Sequence, residues 1–144
     1  LQDAPFLLMN GDILTTLDFS KAYDFASEID ADLTVITKEI TTPFHFGNVL
    51  SQGDYILDVQ EKPNFKLEIL SGIYVLKPGA LKMVPDDTYF GIDNLIKKML
   101  AEKQKVAKYL MKEYWLDIGQ IDDYTTAQNA YEEHFMVLKA TDRK

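Results

Sequence analysis

PFLLMNGDILTTLDFSKAYDFASEIDADLTVITKEI, running from Pro5 to Ile40, decides the fold. Its first residues, Pro5-Phe6-Leu7-Leu8-Met9, form a short unbroken apolar run that Asn10-Gly11 ends. A run without polar alternation suits a strand covered on both faces, as in a parallel sheet. Asp18 then stands where a helix N-cap is wanted, and Phe19, Ala22, Tyr23, Ala26 and Ile29 recur at helical spacing. Ala31 to Ile40 is β-branched and reads as a strand. Strand, helix, strand is the βαβ unit of an α/β fold.

The remaining segments extend this pattern. Val49-Leu50 and Tyr55, Leu57 and Val59 flank Ser51-Gln52-Gly53-Asp54, which predicts a hairpin. Ile69 to Leu76 reads as a buried strand. Ile92, Leu95, Ile96, Met99 and Leu100 form a helical stripe, and Val106 to Met111 and Tyr114 to Leu116 read as short strands. A last helix is expected from about Ile121 to Leu138, followed by a polar tail from Ala140. The expectation is one domain over residues 1–144, built on a mixed, mainly parallel α/β sheet with helices on both faces.

Composition excludes several classes. With no cysteine, disulfides and thiolate metal sites are ruled out, so a metal must use oxygen ligands or one of the two histidines, His45 and His134. Neither histidine has a second His at ligand spacing, and both read as structural or surface residues. Asp and Glu number 23 against 15 Lys and Arg, a net charge of −8, which argues against a nucleic-acid surface. A small phosphorylated ligand held by one local cation remains compatible with that charge. No apolar run approaches the ~20 residues that span a bilayer, so the expectation is a soluble, cytoplasmic protein without a membrane partner.

Three residues are candidates for chemistry. Asp12 follows a buried strand through Asn10-Gly11, where ligands of open α/β sheets bind, and a carboxylate there can hold a hard cation. The plainer alternative is a turn, since Asn-Gly-Asp is a common turn sequence. Asp117 sits in the apolar stretch Tyr114-Trp115-Leu116-Asp117-Ile118-Gly119. If buried, its carboxylate needs a cation or several donors; the alternative is an Asp accepting backbone hydrogen bonds at the entry to the last helix. Lys62, in Glu61-Lys62-Pro63, can act as a point charge toward a phosphate or can simply be solvated. The pairs Thr15-Thr16 and Thr41-Thr42 read as turn residues.

Taken in order, LLMNGDILTTLDF (7–19), FGNVL (46–50), VQEKP (59–63), SGIYVLKP (71–78) and YWLDIGQIDDY (114–124) resemble the sugar-1-phosphate nucleotidyltransferases, the nucleotide-diphospho-sugar pyrophosphorylases. The wording of Asn-Gly-Asp and Trp-Leu-Asp-Ile-Gly is most similar to the mannose-1-phosphate guanylyltransferase branch. The resemblance implies a Rossmann-like nucleotide-diphospho-sugar transferase fold, of which this chain is the C-terminal portion. It implies that Asp12 and Asp117 bind Mg²⁺ and that Lys62 contacts the sugar phosphate. Glu61 would bind the sugar ring, and Gly11, Gly47 and Gly72 would line the substrate pocket. The implied partners are a nucleoside triphosphate, with GTP favoured, and a hexose 1-phosphate.

The chain departs from the family pattern. Its seven glycines are not clustered, so the family's glycine-rich loop with its Arg and Lys is lacking and the isolated chain is expected to be inactive. Glu68-Ile69-Leu70-Ser71 stands where the family usually has an Asn, and Gln120 stands in place of a helix-capping Thr or Ser. A non-catalytic sugar-nucleotide-binding or regulatory module is the alternative. A metal-dependent glycosyltransferase is a further one, but Asp12-Ile13-Leu14 lacks the second Asp of an Asp-x-Asp motif. An exposed sheet edge would favour homo-oligomers.

Overall fold

The structure, a computed structural model, describes residues 4–119 and 121–136. The expected helix end at Leu138, the tail from Ala140 and the Gln120 cap position lie outside the described residues.

Phe6–Met9 forms β1, Ile13–Thr15 forms β2 and Phe19–Glu28 forms α1. The Asp18 side chain accepts hydrogen bonds from the Ser20 and Lys21 backbone N–H groups, satisfying two donors that the first turn leaves open. Leu33–Pro43 is β3, and Asn48–Gln52 and Tyr55–Gln60 are the hairpin strands β4 and β5. Gln52 pairs with Tyr55 across a two-residue turn whose Gly53 has φ +58°, a conformation glycine adopts without Cβ strain. Asn64–Leu76 is β6, a 3₁₀ turn covers Pro78–Met83, and α2 spans Ile92–Ala101. Val106–Met111 is β7, Trp115–Asp117 is β8 and α3 spans Ile121–His134.

The main sheet has four strands in the order β1-β6-β3-β7. β6 runs antiparallel to both of its neighbours, and β3 pairs parallel with β7. So β1, β3 and β7 point one way, β6 runs against them, and the sheet is mixed. The β1-α1-β3 crossover is present, with β6 inserted between its two strands.

Alternation along β3 and β6 builds two cores. Ile36, Ile73 and Val75 face α1, packing with Ala22, Ala26, Leu17 and Met111. Leu33, Val35, Tyr74 and Leu76 face the other way, onto Ala80, Leu95 and Met99. Helices therefore cover both faces, and side chains two residues apart stay on one face because the strand period is 2.

Three elements depart from the sequence expectation. β1 is an edge strand, with Leu7, Leu8 and Met9 about 40% exposed. Its apolar run reads as interior, but among the described residues it pairs only with β6. β6 begins earlier than Ile69, and residues 64–68 run out with Glu39–Pro43 as a largely exposed two-stranded arm, so Thr41 and Thr42 are strand residues and not the turn their sequence suggests. The three-residue β2 is hidden in the sequence between a turn and a helix cap.

At the amino-terminal end of β3, Lys77 and Lys105 both bond the Asp30 carboxylate. Hydrogen bonds from Lys77 first, then Lys105, hold its pKa at about 2, against an ordinary 3.8. A depressed folded pKa gives stability that is present above the unfolded value and lost as pH falls through the folded one. Asp30→Asn is therefore expected to flatten the acid limb of the stability curve between about pH 4 and pH 2, measured by thermal melts. In the second core, Met99 is fully buried. Met99→Ala is expected to cost about 2–5 kcal/mol in a denaturant titration; a loss well under 1 would mean that this face is not close-packed.

Candidate functional site

The site begins at an irregularity in the central strand. Ile36 pairs with Ile73 and Thr37 with Leu70, so Ser71 and Gly72 bulge out of β6 with no partner on β3. Gly72 has φ +76°, and a Cβ there would lie 2.9 Å from Asn10 Nδ2. Both the backbone angle and the space demand glycine. The bulge is bonded on three sides. The Ser71 hydroxyl, fully buried, donates to Ile36 O at 2.8 Å, the Trp115 indole N–H donates to Ser71 O at 2.8 Å, and the Asn10 N–H donates to Gly72 O at 2.9 Å. One two-residue insertion thus ties together the end of β1, the middle of β3 and the start of β8.

Beyond Asn10 the chain turns through Gly11-Asp12 into β2, which pairs antiparallel with β8. Ile13 opposes Asp117, and the Ile118 N–H donates to Asp12 O at 2.8 Å. The backbones of Asp12 and Asp117 therefore occupy neighbouring rungs of one short ladder, although 105 residues separate them in sequence. Both side chains are exposed. The desolvation argument for a cation at Asp117 consequently does not apply, and its case rests on position alone. Gly119 adds to that position: a Cβ there would meet Asp117 Oδ1 at 3.4 Å. Behind the ladder, Tyr114 stacks against His134 of α3, with ring centroids 4.3 Å apart. Burial, with Glu133 a smaller cause, raises the Tyr114 hydroxyl above its usual pKa.

Gly47, Glu61 and Lys62 form a second group, at the outer end of the β3–β6 arm. A Cβ on Gly47 would lie 3.4 Å from Glu61 Oε2, so the glycine leaves room beside that carboxylate. Lys62 has φ +44°, Pro63 accepts from the Phe44 N–H at 2.9 Å, and Phe44 stacks edge-on against Phe46 and Phe65. Six residue steps of β6 separate Asn64 from Leu70, about 20 Å along an extended strand. The structure brings Gly11, Asp12, Gly72 and Asp117 together, and Gly47, Glu61 and Lys62 together, as two groups joined by this arm. A hollow of about 320 Å³ lined by Asp32, Lys77, Met99 and Glu102 lies at the opposite end of the sheet, away from the carboxyl ends where such folds bind ligands.

Sequence reasoning missed Ser71, Trp115 and Asn10 as the residues that join these segments. Only the Ser71-Gly72 dipeptide inside an apolar strand hinted at a bulge.

An open, mixed α/β sheet with helices on both faces, and with Asp12 just beyond the carboxyl end of its edge strand, defines an α/β domain of the broad class that binds ligands at strand ends. The family model described as Nucleotidyl transferase matches residues 1–134, and the chain belongs to that family. It is 26% identical to a mannose-1-phosphate guanyltransferase of Yarrowia lipolytica over 90% of this chain and 36% of that protein. It is 32% identical to a glucose-1-phosphate adenylyltransferase of Bacillus subtilis over 92% of this chain and 37% of that protein. The chain thus spans little more than a third of the length of these relatives. HddC from Yersinia pseudotuberculosis, whose structure is also known complexed with GMP-PN, shares the fold. Its TM-score is 0.62 at 24% identity, over 91% of this chain and 57% of that one.

Gly72→Ala is expected to destabilise the protein by about 1–3 kcal/mol through its positive φ, with further cost from the Asn10 clash. Chemical denaturation checks the stability, and loss of protection of the Asn10 amide in hydrogen exchange checks the site. A protected Asn10 amide in the variant would refute the tie.

Proposed function

We propose that this chain supplies the Mg²⁺ and sugar-phosphate half of a sugar-1-phosphate nucleotidyltransferase site, with GTP as the favoured triphosphate and a hexose 1-phosphate as acceptor. The observation that carries the reading is the β2–β8 ladder, which sets Asp12 and Asp117 on neighbouring rungs at the carboxyl end of β1. Family membership supports the reaction class, and the mannose-1-phosphate guanyltransferase relative supports the choice of base and sugar.

The donor set fits the metal. Among the described residues no three His, Cys, Asp or Glu side chains gather, so the protein offers two carboxylates and leaves the other positions to water and phosphate. That is how Mg²⁺ is usually held, through one or two carboxylates plus substrate phosphates. When bound by Asp12 and Asp117 it would neutralise phosphate charge and align the two substrates.

The reaction places few demands on the protein. An oxygen of the sugar phosphate forms a bond to the α-phosphorus of the triphosphate, the bond from that phosphorus to the bridging oxygen breaks, and pyrophosphate leaves with the electron pair. The nucleophile is already ionised, so no side chain has to remove a proton. What remains is alignment and charge neutralisation. In this reading the Lys62 ammonium pairs with the sugar phosphate and Glu61 accepts from sugar hydroxyls, which approach past Gly47 without meeting a Cβ. For this reading to hold, the β3–β6 arm has to bring this group toward the metal, and the register shift at Ser71-Gly72 offers a place to bend, since bulged strands bend and twist more strongly.

The alternative is a sugar-nucleotide-sensing module without chemistry of its own. Pyrophosphate release separates the two. The chain alone is expected to release none from GTP and mannose 1-phosphate, and to support release once a glycine-rich segment with its Arg and Lys is supplied. A sensing module would show no release in either case.

Asp12→Asn is expected to weaken Mn²⁺ binding at least about ten-fold without lowering the melting temperature. Lys62→Ala is expected to weaken hexose 1-phosphate binding about ten-fold, the loss of one charge-assisted contact. Native Mn²⁺ affinity in the Asp12 variant, read by calorimetry, would sink the metal role.

A further inference from the structure

The β2–β8 ladder is three residues long, and its few backbone pairs leave its register to be set by side chains in and next to it. Register is normally specified by a hydrophobic pattern that buries one face. Here Ile13 and Leu14 are consecutive and apolar, and so are Trp115 and Leu116 opposite them; Ile13 and Trp115 pack against the first core and the Trp115 indole bonds Ser71 O, but the apolar pattern by itself is weak over three residues. A slip of one residue would turn Asp117 to the other side of the ladder. A slip of two would carry it about 7 Å along the strand.

Immediately beyond the ladder, the two threonines close a clasp on one residue. Thr15 Oγ1 donates to Tyr114 O at 2.7 Å, and the Leu17 N–H donates back to Thr15 Oγ1 at 3.1 Å. The Tyr114 N–H donates to Thr16 Oγ1 at 3.1 Å, and the Thr16 N–H donates to Tyr114 O at 3.2 Å. Both backbone groups of Tyr114 are thus held by a pair of side chains that a plain strand or turn would not require. The approach to Tyr114 is tethered as well. The Lys38 ammonium donates to Lys112 O and Glu113 O, at 3.2 and 2.6 Å, and the Glu113 carboxylate accepts the Lys112 N–H at 2.8 Å.

We propose that Thr15 and Thr16 are positioning residues: their hydroxyls fix Tyr114, set the register in which Asp117 opposes Ile13, and thereby keep Asp117 beside Asp12. Lys38 assists by holding the turn that delivers Tyr114. Neither threonine touches a ligand; both act through the ladder. The inference rests on the reading of Asp12 and Asp117 as the metal pair, and its test separates the two.

The chain is prepared with Thr15→Val and Thr16→Val together, which keeps size and β-branching but deletes the hydroxyls. Thr15→Ser with Thr16→Ser keeps the hydroxyls, and Asp12→Asn and Asp117→Asn serve as controls. Mn²⁺ alone is the probe, with cross-ladder NMR contacts between Ile13 and Asp117 as a metal-independent readout. The expected result is an about ten-fold loss of Mn²⁺ affinity and loss of the Ile13–Asp117 contact in the valine variant, both restored by serine. Native affinity and an intact contact in the valine variant, while the Asp controls lose Mn²⁺, would overturn the register role and leave the metal reading standing. If the Asp controls bind Mn²⁺ normally, the metal reading fails. The NMR contact then decides the register role by itself: its loss with valine and return with serine supports the lock, and its persistence refutes it. Should the double valine variant not fold, Thr16→Ala, which removes only the acceptor for the Tyr114 N–H, is read in the same two ways.

Discussion

The carbonyls of Ser71 and Gly72 hold the molecule's two halves together. β6 is hydrogen-bonded on both edges, to β1 and to β3, and a regular strand in that position would have no backbone group left for anything else. At the bulge the Ser71 carbonyl turns to the Trp115 indole, outside the sheet, while the Gly72 carbonyl takes the Asn10 N–H and so carries the β1 pairing one residue further. The freed donors and acceptors of the bulge would be costly if left unpaired in a buried place, and Ser71 is fully buried. Its own hydroxyl returns the balance by bonding Ile36 O. The site exists because a defect in one strand is satisfied by residues from three others.

This arrangement explains why the acids can be exposed and still well placed. Neither Asp12 nor Asp117 is anchored through its side chain to the core; each is carried on backbone that the ladder and the bulge fix. Exposure leaves both carboxylates hydrated and their oxygens open to solvent. An acidic protein of net charge −8 repels a triphosphate at long range, so binding has to be won locally. In the proposed reading, two carboxylates recruiting a divalent ion, with Lys62 as the local cation, would do so.

Much of the fold is legible in the sequence because local signals and tertiary context agree. The Asp18 cap, the Ala22 and Ala26 face of α1, the Leu95 and Met99 face of α2 and the Gly53 turn all follow from spacing and turn chemistry. The failures share a cause. β2 is too short for a periodic pattern, Thr15 and Thr16 look like turn residues because their partner lies 98 or 99 positions away, and the bulge is marked only by Ser71-Gly72 within an apolar strand. The acids themselves were visible as residue types, but their adjacency was implied only by resemblance, since no local rule pairs position 12 with position 117.

The edges of the sheet are unequal, and the inequality follows from the same logic. β7 carries Lys108 within the strand and is flanked by Lys105 and Lys112, the charged composition that discourages a further strand from adding. β1 carries Leu7, Leu8 and Met9 with no charge, each about 40% exposed. The β4–β5 hairpin repeats the pattern, with Val49, Leu50, Ile56, Leu57 and Val59 all more than half exposed on a two-stranded unit that has little stability alone in water. Exposed apolar surface of this kind is ordinary for an interior strand or a covered arm and costly for a free one. The apolar edge strand β1 leads through Asn10-Gly11 directly to Asp12, so a partner covering that edge would also lie next to the candidate site.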